Sequence, residues 1–223
     1  MSLVFDNLGG LITALLWVNV RMTLTAVIVG FPIACLFAVG RLSRNPLIYY
    51  AVTVYVNVLR SSPLLMILFW AYYTGPMVTG HSTSAYMAAV IALTAFEVAY
   101  FTEIVRAGLQ AVASRQRRAG LATGLSVTQV YVFIILPQAV RKMVPSLLTQ
   151  SIIAFQDSTI ASIISVPDIV QVTTIINARE QRPIELYFAL AIIFFIICYC
   201  LSRLVDYLEA RQSRRILGVS KTT

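Results

Sequence analysis

Nine polar side chains fall inside or at the edges of long apolar runs: Asn57, Arg60, Glu97, Glu103, Arg106, Gln156, Asp157, Ser158 and Thr159. They are amides, carboxylates, guanidiniums and hydroxyls, groups that hold a polar solute by hydrogen bonds and opposite charge. A charge at membrane depth costs about 2.5–3.5 kcal/mol on insertion scales, so Arg60, Glu97 and Asp157 each need a use. Structural pairings stand beside the solute-binding reading. Glu103 and Arg106 are three residues apart, close enough to pair on one helix, and Arg60 and Asp157 can pair across a bundle. Glu97, in the middle of TAFEVAY, reads either as a protonated contact within the bundle or as part of a site. Bond-making chemistry has little support. His81 is the single histidine, and neither a Ser/His/Asp set nor a G-x-x-x-x-G-K-[ST] phosphate loop occurs. Cys35, Cys198 and Cys200 lie in apolar runs without metal-type spacing, as packing thiols do.

The elements that must carry these groups are membrane spans. The chain has 223 residues, of which 59% are hydrophobic and 12% charged. A soluble domain would leave large apolar patches in water at that composition. Spans of about 20 apolar residues each are the natural solution. Leu11 to Val20 reads as an interfacial helix or the outer end of span one, and Met22 to Val39 as the span proper. Leu47 to Tyr73 is a second apolar region, interrupted at Arg60-Ser61-Ser62-Pro63, where a broken helix is expected. Spans three, four and five run from Ser84 to Val105, Leu147 to Ile164 and Leu186 to Leu204. The fold class is therefore an all-α integral membrane protein with five transmembrane helices.

Charge sets the expected orientation. Thirteen of the 17 Lys and Arg residues fall on one side of a five-span layout. That side is expected to be cytoplasmic, which puts the N-terminus outside. The net charge of +8 is thus read as topology, not as nucleic-acid binding. MSLVFDNLGG lacks a positive n-region and a cleavage site, so a removable signal peptide is not expected. The outer side holds Asp168, Glu180 and Glu185, read as loop acids that either dock a partner or are simply solvated. The basic tail RQSRR is expected on anionic headgroups.

The long polar stretch from Gly108 to Pro145 has punctuation of its own. Ser114 to Thr123 suits one short helix. Gly124 supplies a left-handed residue to end it. Ser126 and Gln129 form a capping box for the next helix, and Leu136-Pro137 kinks or restarts that helix on its way into span four. A helix–turn–helix on the cytoplasmic face is expected, with a plain solvated loop as the simpler alternative. Gly120-x-x-x-Gly124 matches a helix-dimer motif but falls in polar surroundings, so it is discounted.

At these residues the chain resembles ABC-importer permeases of the polar amino acid family. The matching run is Glu103-Ile104-Val105-Arg106-x-Gly108-Leu109-Gln110-Ala111-Val112, then Gln116, Ala119 and Gly124-Leu125-Ser126. It closes on Ile134-Ile135-Leu136-Pro137-Gln138-Ala139-x-Arg141. VLRSSPLL at 58–65 and Gln156-Asp157-Ser158-Thr159 match as well, so the resemblance covers about Thr23 to Tyr207. YVNVLRSSPLLMILFW and LLTQSIIAFQDST look most like glutamate/aspartate permeases. The sequence departs from the family at one place: the glutamate of its E-A-A loop falls at Arg118, which reverses the charge and puts any contact made by that glutamate in doubt.

The resemblance implies the type I importer permease fold. Residues 1–21 would be a periplasmic N-terminus with an interfacial helix, and residues 22–207 the transmembrane domain, with a coupling loop at about 108–145. Residues 208–223 would be a basic cytoplasmic tail. A pore of two permease subunits is implied, a paralogue being favoured over self, in the bacterial inner membrane. Also implied are a cytoplasmic ABC ATPase dimer, a periplasmic amino-acid-binding protein and surrounding lipid, with no cofactor or metal and no enzymatic activity on this chain. For coupling, Ala119, Leu121 and Leu125 would be apolar knobs, Gly124 would set the backbone, and Arg115, Arg117 and Arg118 would form ion pairs. The substrate pathway would comprise Asn57, Arg60, Glu97, Gln156, Asp157, Ser158 and Thr159. In it Asp157 would receive an α-ammonium, Ser158 and Thr159 would face a carboxylate, and Arg60 would meet an acidic side chain. The competing readings are a stand-alone secondary transporter or channel for small polar solutes, and a purely structural membrane subunit.

Overall fold

The computed structural model describes residues 2–112 and 114–217, leaving out Met1, Ala113 and the last six residues. Among the described residues the chain is helical throughout. Helices α1 (Ser2–Ala14) and α2 (Arg21–Gly40) join through a π-helical turn at Leu15–Val20. Asn7–Gly40 therefore forms one long apolar helix, in which Leu11 to Val20 is continuous with Met22 to Val39. Helix α3 (Pro46–Ser61) begins with Asn45 capping its first turn and Pro46 at the first helical position, where a missing N–H costs nothing.

The expected break is present. Ser62 and Pro63 are extended, and α4 (Leu64–Phe69) leaves at 108° to α3, continuing through a π turn into α5 (Gly75–Thr79). Among the described residues four helices are long and apolar enough to cross a membrane, or five if the bent pair counts as one span.

Helix α6 (Ala85–Gln110) is the axis of the bundle, starting at Ser84, whose hydroxyl accepts the Met87 N–H. Small residues let α2 lie close along it. Ala26, Ala34 and Ala38 are fully buried, as are Ala88 and Ala99. Between helices in lipid, such close backbone approach supplies the packing that hydrophobicity cannot. Gly108 performs the same service against the fourth span, since a Cβ there would lie 2.9 Å from Met143 Cβ.

The polar stretch folds as its punctuation directs. Helix α7 (Ser114–Ala122) ends before Gly124, which sits at φ +84°. Ser126 and Gln129 make the reciprocal capping box on α8 (Val127–Gln129). A π turn at Val130–Ile135 then leads into α9 (Leu136–Asp157). Pro137 has no N–H and its ring crowds the carbonyl four residues back, and a widened turn accommodates both. The fourth helical rod thus begins at Val127 and ends in a 3-10 stretch at Ser158–Ile164, so it is longer than Leu147 to Ile164.

One element was absent from the sequence reading. Helix α10 (Ile169–Glu180) follows the fourth rod, and α11 (Pro183–Leu217) is the last span and its extension. Asp168 is therefore not a loop acid on the surface. It is fully buried and caps α10, accepting the Gln171 N–H at 2.8 Å. Glu180 and Glu185 are exposed, and Glu185 pairs with Arg182 at 3.5 Å. The RQSRR segment at 211–215 continues α11, and Lys221 is the one basic residue of the tail outside the described residues.

Candidate functional site

Three polar clusters hold the bundle together. The first surrounds Glu103 on α6. Its carboxylate pairs with Arg106 at 2.7 Å on the same helix, with Arg41 just past the end of α2, and with Arg60 of α3 at 3.8 Å. The local Glu103–Arg106 pair agrees with the spacing. Arg60 does not reach Asp157: its guanidinium lies 5.2 Å above the Tyr100 ring and leans toward Glu103. One carboxylate thereby ties together the end of the first span, the last turn before the helix break, and the third span. Arg106 also donates to Gln110.

The second cluster is at mid-bundle. Glu97 is fully buried and accepts both of its contacts, at 3.2 and 3.3 Å, from the Gln150 amide of α9. Asp157 and Ser158 line a water-sized void of about 10 Å³ with Met22, Leu64, Leu68 and Leu93. Of the segment Gln156 to Thr159, Gln156 is exposed and Asp157 is half-buried. The Thr159 hydroxyl donates to the Gln156 carbonyl. The Ser158 hydroxyl donates to the Phe155 carbonyl and accepts from Asn19. Asn57 is exposed on α3, outside these clusters.

The third cluster centres on Asn19, a residue the sequence reading passed over. Its amide nitrogen donates to Ser158 Oγ at 3.0 Å and to Asp168 at 3.4 Å, and its oxygen accepts the Ile169 N–H at 3.2 Å. Asn19 sits in the π turn of the first helix. It therefore pins that turn to the end of the fourth span and the start of α10. Burial pushes the Asp168 carboxyl up to about 6, outweighing the Gln171 and Asn19 hydrogen bonds that lower it. A folded-state value above the ordinary one means the group's contribution to stability is complete at acid pH and is lost as pH rises through about 6. The melting temperature of Asp168→Asn should therefore move in the variant's favour relative to the parent as pH goes from 5 to 7. A gap that stays constant with pH contradicts a buried carboxyl.

At the basic end of the bundle, α7 lies against the foot of the fourth rod. A Cβ at Gly120 would come within 2.8 Å of Ile134 Cδ1 and 3.0 Å of Val130 Cγ2, so glycine is what lets the two helices touch. Arg117 stacks 5.7 Å over Tyr131. Arg115, Arg118, Ala119 and Leu121 are exposed, and Leu125 is half-buried. Lys142 crosses to the end of α6 and donates to the Ala111 carbonyl at 2.7 Å. The glycine spacing discounted in sequence is half meaningful: Gly120 serves a helix contact within the chain, while Gly124 serves the turn.

Comparison with known proteins places this architecture. The family described as "Binding-protein-dependent transport system inner membrane component" matches residues 30–214. The chain belongs to that family. Within it, the chain's relatives are amino-acid ABC permeases. It is 37% identical over 203 residues to the glutamate/aspartate import permease protein GltK of Escherichia coli O6:H1, covering 88% of this chain and 91% of that one. It is 32% identical to a probable glutamine ABC transporter permease protein, GlnP, of Bacillus subtilis, over 90% of this chain and 94% of the relative. The crystal structure of an amino acid ABC transporter with histidines superposes at a TM-score of 0.88 with 30% identity, over 93% of this chain and 96% of that one. The methionine ABC transporter MetNI shares the fold at a TM-score of 0.69 and 18% identity. The fold is thus that of a type I ABC importer permease.

Proposed function

We propose that this permease moves acidic amino acids, glutamate and aspartate, inward across the bacterial cytoplasmic membrane by alternating access, driven by ATP hydrolysis on a separate subunit. The observation that carries the importer reading is α7, a short helix held against the fourth rod by Gly120 with its other face open. Two permease subunits, this one and a paralogue, form the pore. A cytoplasmic ATPase dimer moves the paired α7 helices, and a periplasmic binding protein delivers the substrate. The break at Pro63 and the helix ends near Asp157 are the places where the bundle would hinge between its two access states. The preference for acidic substrates is supported by the likeness to GltK and by the guanidinium excess around Glu103. The basic excess of the α7 end and the tail supports a cytoplasmic location for both and an external N-terminus.

Within the pathway, Arg60 is the exposed cation at the helix break, and Asp157 is the carboxylate beside the void at the end of α9. Glu97 keeps spans three and four in register through Gln150. Reconstitution in proteoliposomes with the ATPase, the paralogue and the binding protein tests the assignment. Uptake of radiolabelled glutamate and aspartate is expected to require internal or external ATP on the ATPase side and to be abolished by vanadate. Uptake that persists without ATP, driven by an ion gradient, would show a secondary transporter instead. Glutamine uptake exceeding glutamate uptake would overturn the substrate assignment and leave the importer standing.

A further inference from the structure

The two faces of α7 differ in a way that specifies what covers the open one. Arg115, Arg118, Ala119 and Ala122 follow the i, i+3, i+4, i+7 spacing of a single helix face, and all of them are exposed. Arg115 and Arg118 have no hydrogen-bond or ion-pair partner among the described residues, and α7 contains no acidic residue. Arg117 is not part of this stripe, being turned back over Tyr131. The opposite side is closed by Gly120 against Val130 and Ile134.

From this we infer that the partner surface for α7 is an acidic groove, in which carboxylates of the ATPase subunit meet Arg115 and Arg118 across the two alanines. The inference rests on reading α7 as the contact for a cytoplasmic ATPase. Small alanines between guanidiniums let a partner backbone come close enough for direct charge-assisted hydrogen bonds, and the planar fork of arginine suits paired carboxylate oxygens. A membrane surface fits less well. A helix lying in the headgroup region needs a bulky apolar face to insert below its cations. Here the face away from the arginines is already packed on the fourth rod, and Leu121 is the only large aliphatic residue in SRQRRAGLA. The arginine at position 118 is thus matched by the partner's charge.

The test uses the permease reconstituted with its paralogue in phosphatidylcholine nanodiscs and the purified cognate ATPase, with binding measured between 50 and 500 mM NaCl (roughly the range over which screening grows strongly). Arg115→Gln/Arg118→Gln is expected to bind at least about tenfold more weakly at low salt and with a flatter salt dependence, as loss of interfacial charge pairs gives. Arg115→Lys/Arg118→Lys, which keeps the charge, should retain most of the salt dependence. Parent-like affinity and salt dependence in the glutamine variant would overturn the acidic groove, as would loss of ATPase binding by the glutamine variant only when phosphatidylglycerol replaces phosphatidylcholine, which would assign the arginines to lipid. Failure of the parent permease to bind the ATPase at all would instead remove the importer reading on which the inference rests.

Discussion

Glu103→Ala is expected to be the most damaging single change in the bundle. It would leave Arg41, Arg60 and Arg106 facing one another without their shared carboxylate. Arg41 is the critical partner, with its side chain 12% exposed and its Nε buried without an acceptor. Removing one member of a fully buried pair costs about 3–5 kcal/mol. Arg60 and Arg106 are partly open to water, so a loss on the order of 3 kcal/mol is the appropriate scale here. The readout is the thermal midpoint of purified protein in detergent, together with the amount recovered from membranes. A second variant separates electrostatics from packing: adding Arg41→Leu to Glu103→Ala should recover part of the loss by removing the stranded cation. If the double variant is no better than the single, Glu103 acts through packing and not through charge.

The second large effect is expected at Gly120. Gly120→Ala should already strain the contact, since its Cβ would meet the end of Ile134 at 2.8 Å, which can turn aside, and Val130 Cγ2 at 3.0 Å, which is β-branched and fully buried and cannot. Gly120→Leu cannot be accommodated between α7 and Val130, and overpacking of this kind costs about 1–3 kcal/mol. That cost unseats a short surface helix without unfolding the spans, so the variant should insert normally and lose uptake by about tenfold or more. Gly124→Leu should act on the same device by another route. Space around Gly124 is open, but its φ of +84° is unfavourable to a side chain, by about 1–2 kcal/mol. Normal insertion with parental uptake in both leucine variants would mean that the seating of α7 does not matter to transport.

How much of this was legible beforehand follows the range of each interaction. The end of α7, the Ser126–Gln129 capping box and the break at Ser62-Pro63 were readable because neighbouring residues fix them. The same locality made the Glu103–Arg106 pair visible and hid the rest of that cluster, since Arg41 is 62 residues from Glu103. Helix α10 was missed for a different reason. Its twelve residues, IVQVTTIINARE, are too short and too polar to read as a span. A signal was nevertheless present in Asp168-x-x-Gln171, a capping pattern directly after Pro167. Asn19 gave no such warning, because its partners are 139 to 150 residues away. Gly120 was discounted for lying in polar surroundings, yet its partner was an apolar patch on the next helix of the same chain. For the substrate pathway, the chain brings Glu97 to Gln150 and Asp157 to the helix break, while Asn57 and Gln156 stay exposed on other surfaces.

ATP-driven uptake requires α7 to be a cytoplasmic contact for an ATP-hydrolysing subunit. Replacing Ala119 by cysteine, in a background in which Cys35, Cys198 and Cys200 are serine, offers a single thiol on its open face. In intact cells that thiol should resist a membrane-impermeant maleimide and should crosslink to the ATPase through a short bifunctional reagent. Labelling from outside the cell, or a crosslink pattern without the ATPase, would contradict the account.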